Sequence, residues 1–218
     1  MGDERVGIIG TGLIGGSMGA GLRRAGWTVV GYDPDPDTLR VALEGGLVDE
    51  TADSIDDIMQ DGFDLLVVAA PPTASIEILS SLTWTHPIMD VAGVKVPVVS
   101  AATDLPGFVG THPMAGRETS GPTAASGALF HGASWVVAEG AEPNATDLVC
   151  EVIQALGARP VFMSAEQHDR AVALISHLPQ LVAGSLLSAA ADRPESLDLA
   201  AGSFRDLTRV GASQLMNW

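Results

Sequence analysis

"RVGIIGTGLIGGSMGAGL", residues 5 to 22, decides the fold of this 218-residue chain. Its first six residues are a short, mostly apolar run ending in glycine, which reads as a buried strand. From Leu13 the small and apolar residues read as a helix that continues through "RRAG" and closes at Gly26. Between the two lies G-x-G-x-x-G, as Gly10, Gly12 and Gly15. Glycines are common here, 25 in all, so the spacing alone carries little. The strand before it and the helix after it give it weight. Gly10 allows a tight turn, Gly12 lets backbone approach a pyrophosphate, and Gly15 lets the helix pack close to the strand. The first helical turn, opened by Leu13 and Ile14, then presents N–H groups and a positive dipole end to the phosphates.

Working outward, "WTVVGYD" is a second strand ending at Asp33, about 20 residues beyond the loop, where a carboxylate bonds both ribose hydroxyls. This predicts NAD. A 2′-phosphate would meet Asp33 and Asp35 without an adjacent arginine, which disfavours NADP. "DPDTLRVALEGG" has helical spacing and a glycine stop. "FDLLVVAAP" is a strand, "TASIEILSSL" a helix and "HPIMDVAG" a short strand with a turn. "GFVGTHP" reads as one further strand, followed by strand "ASWVVAEG", helix "ATDLVCEVIQALG" and strand "RPVFMS". This alternation predicts an α/β fold of the Rossmann type, a doubly wound parallel sheet with helices on both faces. After Ser164 the pattern is helical throughout, and Pro179 should kink the helix or need a local adjustment. The expected domains are a dinucleotide-binding domain over 1–164 and a helical domain over 165–218.

Composition narrows the function. Hydrophobic residues make up 46% and the net charge is −16, which argues against nucleic acid or an anionic membrane as partner. An acidic protein that binds an acidic metabolite must build a local cationic pocket, so its few arginines are informative. Cys150 is the only cysteine and reads as a helix core position, so no intrachain disulfide is expected. The start lacks a signal-peptide pattern, and no apolar stretch reads as approaching the ~20 residues of a membrane helix. The cytoplasm is the expected compartment. No metal site is expected.

The loop "GTHPMAGRETSG", residues 110 to 121, looks like neither helix nor strand. A nicotinamide should lie near it, outside the carboxyl ends of the strands. His112 is then a candidate general base for alcohol oxidation, since its ordinary pKa is close to working pH.

The pieces "GTGLIGGS", "GYDPDP", "THPMAGRETSG", "HDRAVALISHLP" and "AGSFRDLTRVGASQLMNW" occur in the order found in the prephenate and arogenate dehydrogenases of tyrosine biosynthesis. The chain resembles that family over nearly its whole length. The first piece is shared with all dinucleotide enzymes; the middle and last are specific. The resemblance implies oxidation of a cyclohexadienol at C4 with loss of the C1 carboxylate. It gives His112 the proton of the 4-hydroxyl and Arg209 a substrate carboxylate, for which an arginine fork is the best partner. It places His177 facing the substrate, with a hydrogen-bonded core histidine as the alternative. Glu118 lies in the family's loop, where it orients or gates. Arg117 reads equally as a solvated side chain. Ser120 and Thr119 either bond substrate or cofactor, or cap the turn. The family's helical region implies a homodimer.

Two departures stand out. The family commonly has a serine within Asp-x-Gly-Ser-Val-Lys, and here the stretch is Asp90-Val91-Ala92-Gly93-Val94-Lys95. The second histidine of "SHLPH" is Gln180. The chain also stops at Trp218, where the family continues through further helices, so the helical domain is expected to be truncated. The leading reading is an NAD-dependent prephenate dehydrogenase, with arogenate as a further substrate. The runner-up is a dehydrogenase of 4-amino-4-deoxyprephenate, which Gly93 favours slightly. A dinucleotide-binding sensor without turnover is the reading from a different class.

Overall fold

The computed structural model describes residues 4–60, 62–117 and 119–212. The elements run β1 (Arg5–Ile9), α1 (Leu13–Arg24), β2 (Thr28–Tyr32), α2 (Pro36–Glu44), β3 (Glu50–Thr51), α3 (Ile55–Ile58), β4 (Leu65–Val68), α4 (Pro72–Ser81), β5 (Ile88–Asp90), α5 (Val96–Ala101), β6 (Phe108–Val109), β7 (Thr111–Pro113), β8 (Ser134–Ala138), α6 (Pro143–Ala155), β9 (Arg159–Met163), α7 (Ala165–Val172), α8 (Leu178–Ala191) and α9 (Gly202–Thr208).

Six parallel strands form the main sheet in the order β3-β2-β1-β4-β5-β6. Parallel neighbours need crossover connections, and the helices that supply them cover both faces. The central strands therefore carry apolar residues on either side. Val6, Ile8, Leu65, Val67 and Met89 belong to the core on one face. Ile9, Leu66, Val68 and Ile88 belong to the core on the other. Strand order reverses between β1 and β4, and at such a switch point the helices diverge and leave a crevice at the carboxyl ends. The predicted doubly wound sheet is borne out.

The rest of the expected single sheet is not. "GFVGTHP" is two strands in two sheets. Val109 pairs with Met89 in the main sheet, whereas Thr111 pairs with Val137 in a second sheet of order β7-β8-β9. There β7 is antiparallel to β8, and β8 is parallel to β9. The chain changes sheets at Gly110, where a Cβ would come within 2.9 Å of Val99. The second sheet is built around Trp135, fully buried, with Phe130 tilted against it at 4.8 Å. The short β3, α3 and α5 were not foreseen either, because two to six residues give no measurable period.

Ser164 opens the helical part with a capping box. Its hydroxyl accepts the Gln167 N–H, and the Gln167 side chain accepts the Ser164 N–H. Beyond Met163 no strand occurs among the described residues. The adjustment expected at Pro179 takes the form of a π turn over Ala173–His177, in which the Leu178 N–H reaches the Ala173 carbonyl five residues back. In an α ladder the Pro179 ring would press on the Ile175 carbonyl and offer it no N–H, and the wider turn comes just ahead of that conflict. The expectation about apolar length needs correction. Ala165–Ala191 is a 27-residue helical run containing an 18-residue window of mean hydropathy 1.5, long and apolar enough to cross a membrane by length and composition alone. Its apolar surface includes Leu174, Ile175, Leu178, Leu181 and Val182, all exposed.

Candidate functional site

The glycine loop has the shape its sequence predicts. Gly10 has φ +99°, and a Cβ there would lie 2.5 Å from the Ala69 carbonyl oxygen. At Gly15 a Cβ would lie 1.9 Å from the Gly10 oxygen, so α1 packs on the loop only without one. At Gly12 a Cβ would meet nothing within 4 Å. That open space, with no side chain capping α1, leaves the first-turn N–H groups at Leu13 and Ile14 as donors for a phosphate. Asp33 is fixed beside the loop: Oδ2 accepts the Thr11 N–H at 2.8 Å, and Oδ1 accepts the Asp35 N–H at 3.1 Å. A carboxylate has about four acceptor positions, so capacity remains for ribose hydroxyls. Asp35 caps α2 through the Asp37 N–H and the Thr38 hydroxyl. Arg40, the arginine of α2, is bridged to Asp37 and Glu44. These residues fit a dinucleotide without a 2′-phosphate.

Two strands away, at the same end of the sheet, stands the acid–base cluster. Register pairs Ile9 with Val68 and Val68 with Asp90, which puts Asp90 roughly 10 Å from the end of β1 at usual strand spacing. Asp90 and Lys95 are fully buried and form an ion pair. Asp90 also accepts the Thr111 N–H at 2.9 Å and the Ala92 N–H at 2.8 Å. The Lys95 ammonium donates to the Thr111 carbonyl at 2.6 Å. Trp135 Nε1–H donates to the Thr111 hydroxyl at 2.9 Å. Thr111 is thus held on every polar atom, and the next residue on β7 is His112.

His112 Nδ1 lies 2.9 Å from His168 Nε2, and His168 Nδ1 lies 2.7 Å from Asp169 Oδ1. Burial pushes the His112 imidazole down to about 3, helped by the charges of Lys95, His168 and His177 and opposed by Asp169. His168, 1% exposed, is also lowered, first by burial. Burial would raise the Asp169 carboxyl, but the N–H groups of Val96, His168 and Lys95 outweigh this and hold it low. His112 is therefore neutral at ordinary pH and able to accept a proton.

The predicted site residues fall in three places. His177, at the end of the π turn, is near enough to act on His112 electrostatically. Ser120 and Thr119 are exposed on the loop, and Arg117 donates to the Ala124 carbonyl at 3.2 Å. Arg209 is exposed at the end of α9, where the following turn packs on α8: a Cβ at Gly211 would touch Leu187 and Ala183. Glu118 lies outside the described residues.

The model of the prephenate dehydrogenase nucleotide-binding domain matches residues 18–162, and that of the prephenate dehydrogenase dimerization domain matches 164–218. The chain belongs to the prephenate dehydrogenase family. It is 39% identical over 185 residues to the probable prephenate dehydrogenase NovF of Streptomyces niveus, covering 80% of this chain and 49% of that one. It is 32% identical over 228 residues to the prephenate dehydrogenase of Bacillus subtilis, covering 97% and 61%. The chain thus spans about half to three fifths of the length of these curated relatives. The crystal structure of prephenate dehydrogenase from A. aeolicus, in complex with hydroxyphenyl propionate and NAD+, superposes with a TM-score of 0.91 at 30% identity, covering 100% and 81%.

Within this member of the prephenate dehydrogenase family, sequence reasoning gave no role to Asp90, His168 or Asp169. The signal was thin. "HD" opens a helix, where neighbours point about 100° apart, so nothing local says that both face one histidine. Their partners are 56 and 74 positions away.

Proposed function

We propose that this chain is an NAD-dependent dehydrogenase that oxidises prephenate to 4-hydroxyphenylpyruvate with loss of CO2, in keeping with relatives named prephenate dehydrogenases. The observation that carries this reading is His112. It is a neutral imidazole held by buried partners, at the carboxyl end of the sheet and about two strands from a glycine loop shaped for a pyrophosphate. Bound NAD would supply the hydride acceptor. Gly10, Gly12, Leu13, Ile14, Gly15 and Asp33 hold it. His112 takes the proton of the 4-hydroxyl, which lets electrons flow from oxygen into C4 as the hydride departs. Loss of the C1 carboxylate then completes an aromatic ring. Arg209 binds a substrate carboxylate, His177 and Ser120 face the substrate, and Glu118 orients the loop. The substrate sits between a nucleotide domain over 1–164 and a helical domain over 165–218.

The helical domain supplies the homodimer contact. Its exposed Leu174, Ile175, Leu178, Leu181 and Val182 are the surface a second copy covers, and this reading leaves no need for a lipid bilayer. A cytoplasmic location is part of the same proposal.

Gly93 favours a second substrate reading. The family's serine would bond a C4 hydroxyl, and without it a 4-amino group loses nothing. The deciding experiment is a turnover panel. Prephenate, arogenate and 4-amino-4-deoxyprephenate are each mixed with NAD and followed at the reduced-cofactor absorbance. Prephenate should turn over fastest. A clear preference for the amino compound selects the second reading, and no turnover with any of them selects the sensor. The same preparation in the ultracentrifuge should sediment as a dimer; a monomer at high micromolar concentration rejects the assembly.

A further inference from the structure

We infer that His168 and Asp169 are positioning residues that decide which ring nitrogen of His112 is free to take a proton. The inference rests on the reading of His112 as proton acceptor. It begins at the sheet. The Lys95 N–H donates to Asp169 Oδ1 at 2.7 Å, and the Val96 N–H donates to Oδ2 at 2.9 Å. Two backbone donors therefore fix the carboxylate before any histidine meets it. An ionised carboxylate only accepts, so His168 Nδ1, 2.7 Å from Oδ1, must carry hydrogen. A neutral imidazole has one N–H, so His168 Nε2 is bare. That bare nitrogen faces His112 Nδ1 at 2.9 Å and can only accept, so Nδ1 of His112 carries hydrogen. Nε2 of His112 is what remains, with its lone pair. With both rings neutral and Asp169 ionised, every other assignment sets two donors or two lone pairs face to face at one of the junctions.

The arrangement also acts after the proton arrives. The imidazolium keeps its Nδ1–H on an acceptor, and the Asp169 charge lies one ring further on. Lys95, from the loop after β5, and His177, from the π turn, oppose that charge; Asp169, from α7, favours it. The two rings meet edge-on at 76°, with centroids 5.1 Å apart. His168 is buried, so solvent does not replace it when it is removed. This is the logic by which an outer partner fixes the tautomer of a working histidine.

Two variants of the full-length chain separate this from packing. His168→Phe keeps an aromatic ring and deletes the acceptor. His168→Gln offers an amide oxygen close to the place of Nε2. The Phe variant should lose about 100-fold in kcat, the lower range for acid–base catalysis. Its KM and NAD affinity should stay within about twofold. The Gln variant should recover to within about tenfold of wild type. Independently of any substrate, ¹⁵N-histidine NMR at neutral pH should show Nδ1–H and bare Nε2 on both His112 and His168. The signals are assigned by their loss in His112→Asn and His168→Phe. A His112 protonated on Nε2 overturns the inference even where prephenate turns over. So does a Phe variant within threefold of wild-type kcat. A Gln variant as damaged as Phe, with KM rising and NAD affinity falling together, also overturns it and leaves His168 a packing role. Correct tautomers with no dehydrogenase activity leave the relay standing and remove only the proposed function.

Discussion

Along β4 the residues Leu65 to Val68 are all 0% exposed, whereas along the helix from α7 into α8 Leu174 and Ile175 are 65% and 63% exposed. Leu174 and Ile175 are as apolar as the strand residues. The strand is closed by neighbours from its own chain, on both edges and both faces. The helix surface has no such cover within the described residues. The sheet half is therefore closed largely by its own strands and helices and carries the glycine loop and His112, whose partners His168 and Asp169 reach it from α7. Under the proposed function the helical half supplies the substrate contacts Arg209 and His177, and its exposed apolar residues are open to a packing partner. Substitutions in the two halves should accordingly fail in different kinetic terms.

The sharpest test is in the sheet half. His112→Asn keeps a polar side chain of similar reach but no base, and kcat should fall roughly 10²–10⁴-fold. NAD affinity, measured by fluorescence titration, should not move, because the glycine loop and Asp33 are untouched. Turnover within a few-fold of wild type would refute the role.

Arg209→Lys probes the helical half. Lysine keeps the charge but loses the planar fork. A charge-assisted hydrogen bond is worth on the order of 1.5–3 kcal/mol, and each 1.4 kcal/mol is tenfold, so KM should rise about tenfold or more. The effect on kcat should be smaller and that on NAD absent. If kcat falls instead and KM holds, the division of labour between the halves is wrong.

The smallest expected effect links both halves through acid stability. His112 titrates near 6.5 when unfolded and at about 3 when folded, and His168 shifts the same way. Between those values the unfolded chain binds more protons, so stability is full above about pH 6.5 and lost as pH falls towards 3. Thermal melts should fall by several degrees across that window, at about 2–4 °C per kcal/mol for a chain of this size. His112→Asn should melt more evenly over the same range. An unchanged pH slope in that variant would place the acid sensitivity elsewhere.

What was legible in the sequence follows from how local each cause is. The glycine loop could be read because its constraints are steric and lie within six residues: Gly10 against Ala69, Gly15 against Gly10. Asp33 could be read because β2 must end near that loop. The change of sheets at Gly110 could not, since Phe108–Val109 and Thr111–Pro113 have the same extended pattern and differ only in distant partners, Met89 and Val137. The loop histidine stood out as a residue, and its partners did not. His168 and Asp169 reach it across 56 positions and through backbone donors that any residue supplies.

His168 and His177 are nine residues apart. At about 100° per residue, an unbroken α-helix would turn them roughly 180° from one another, one imidazole towards β7 and the other away from it. Yet both act on His112. The π turn between them takes in roughly one extra residue, which winds the helix back by about 100° and leaves the two side chains roughly 80° apart. Angular phase, then, is what the turn contributes. A proline two residues beyond His177, by obstructing the tighter ladder, keeps that phase in place, and a one-residue deletion within Ala173–His177 would return the second imidazole to the far side of the helix while leaving its composition almost unchanged.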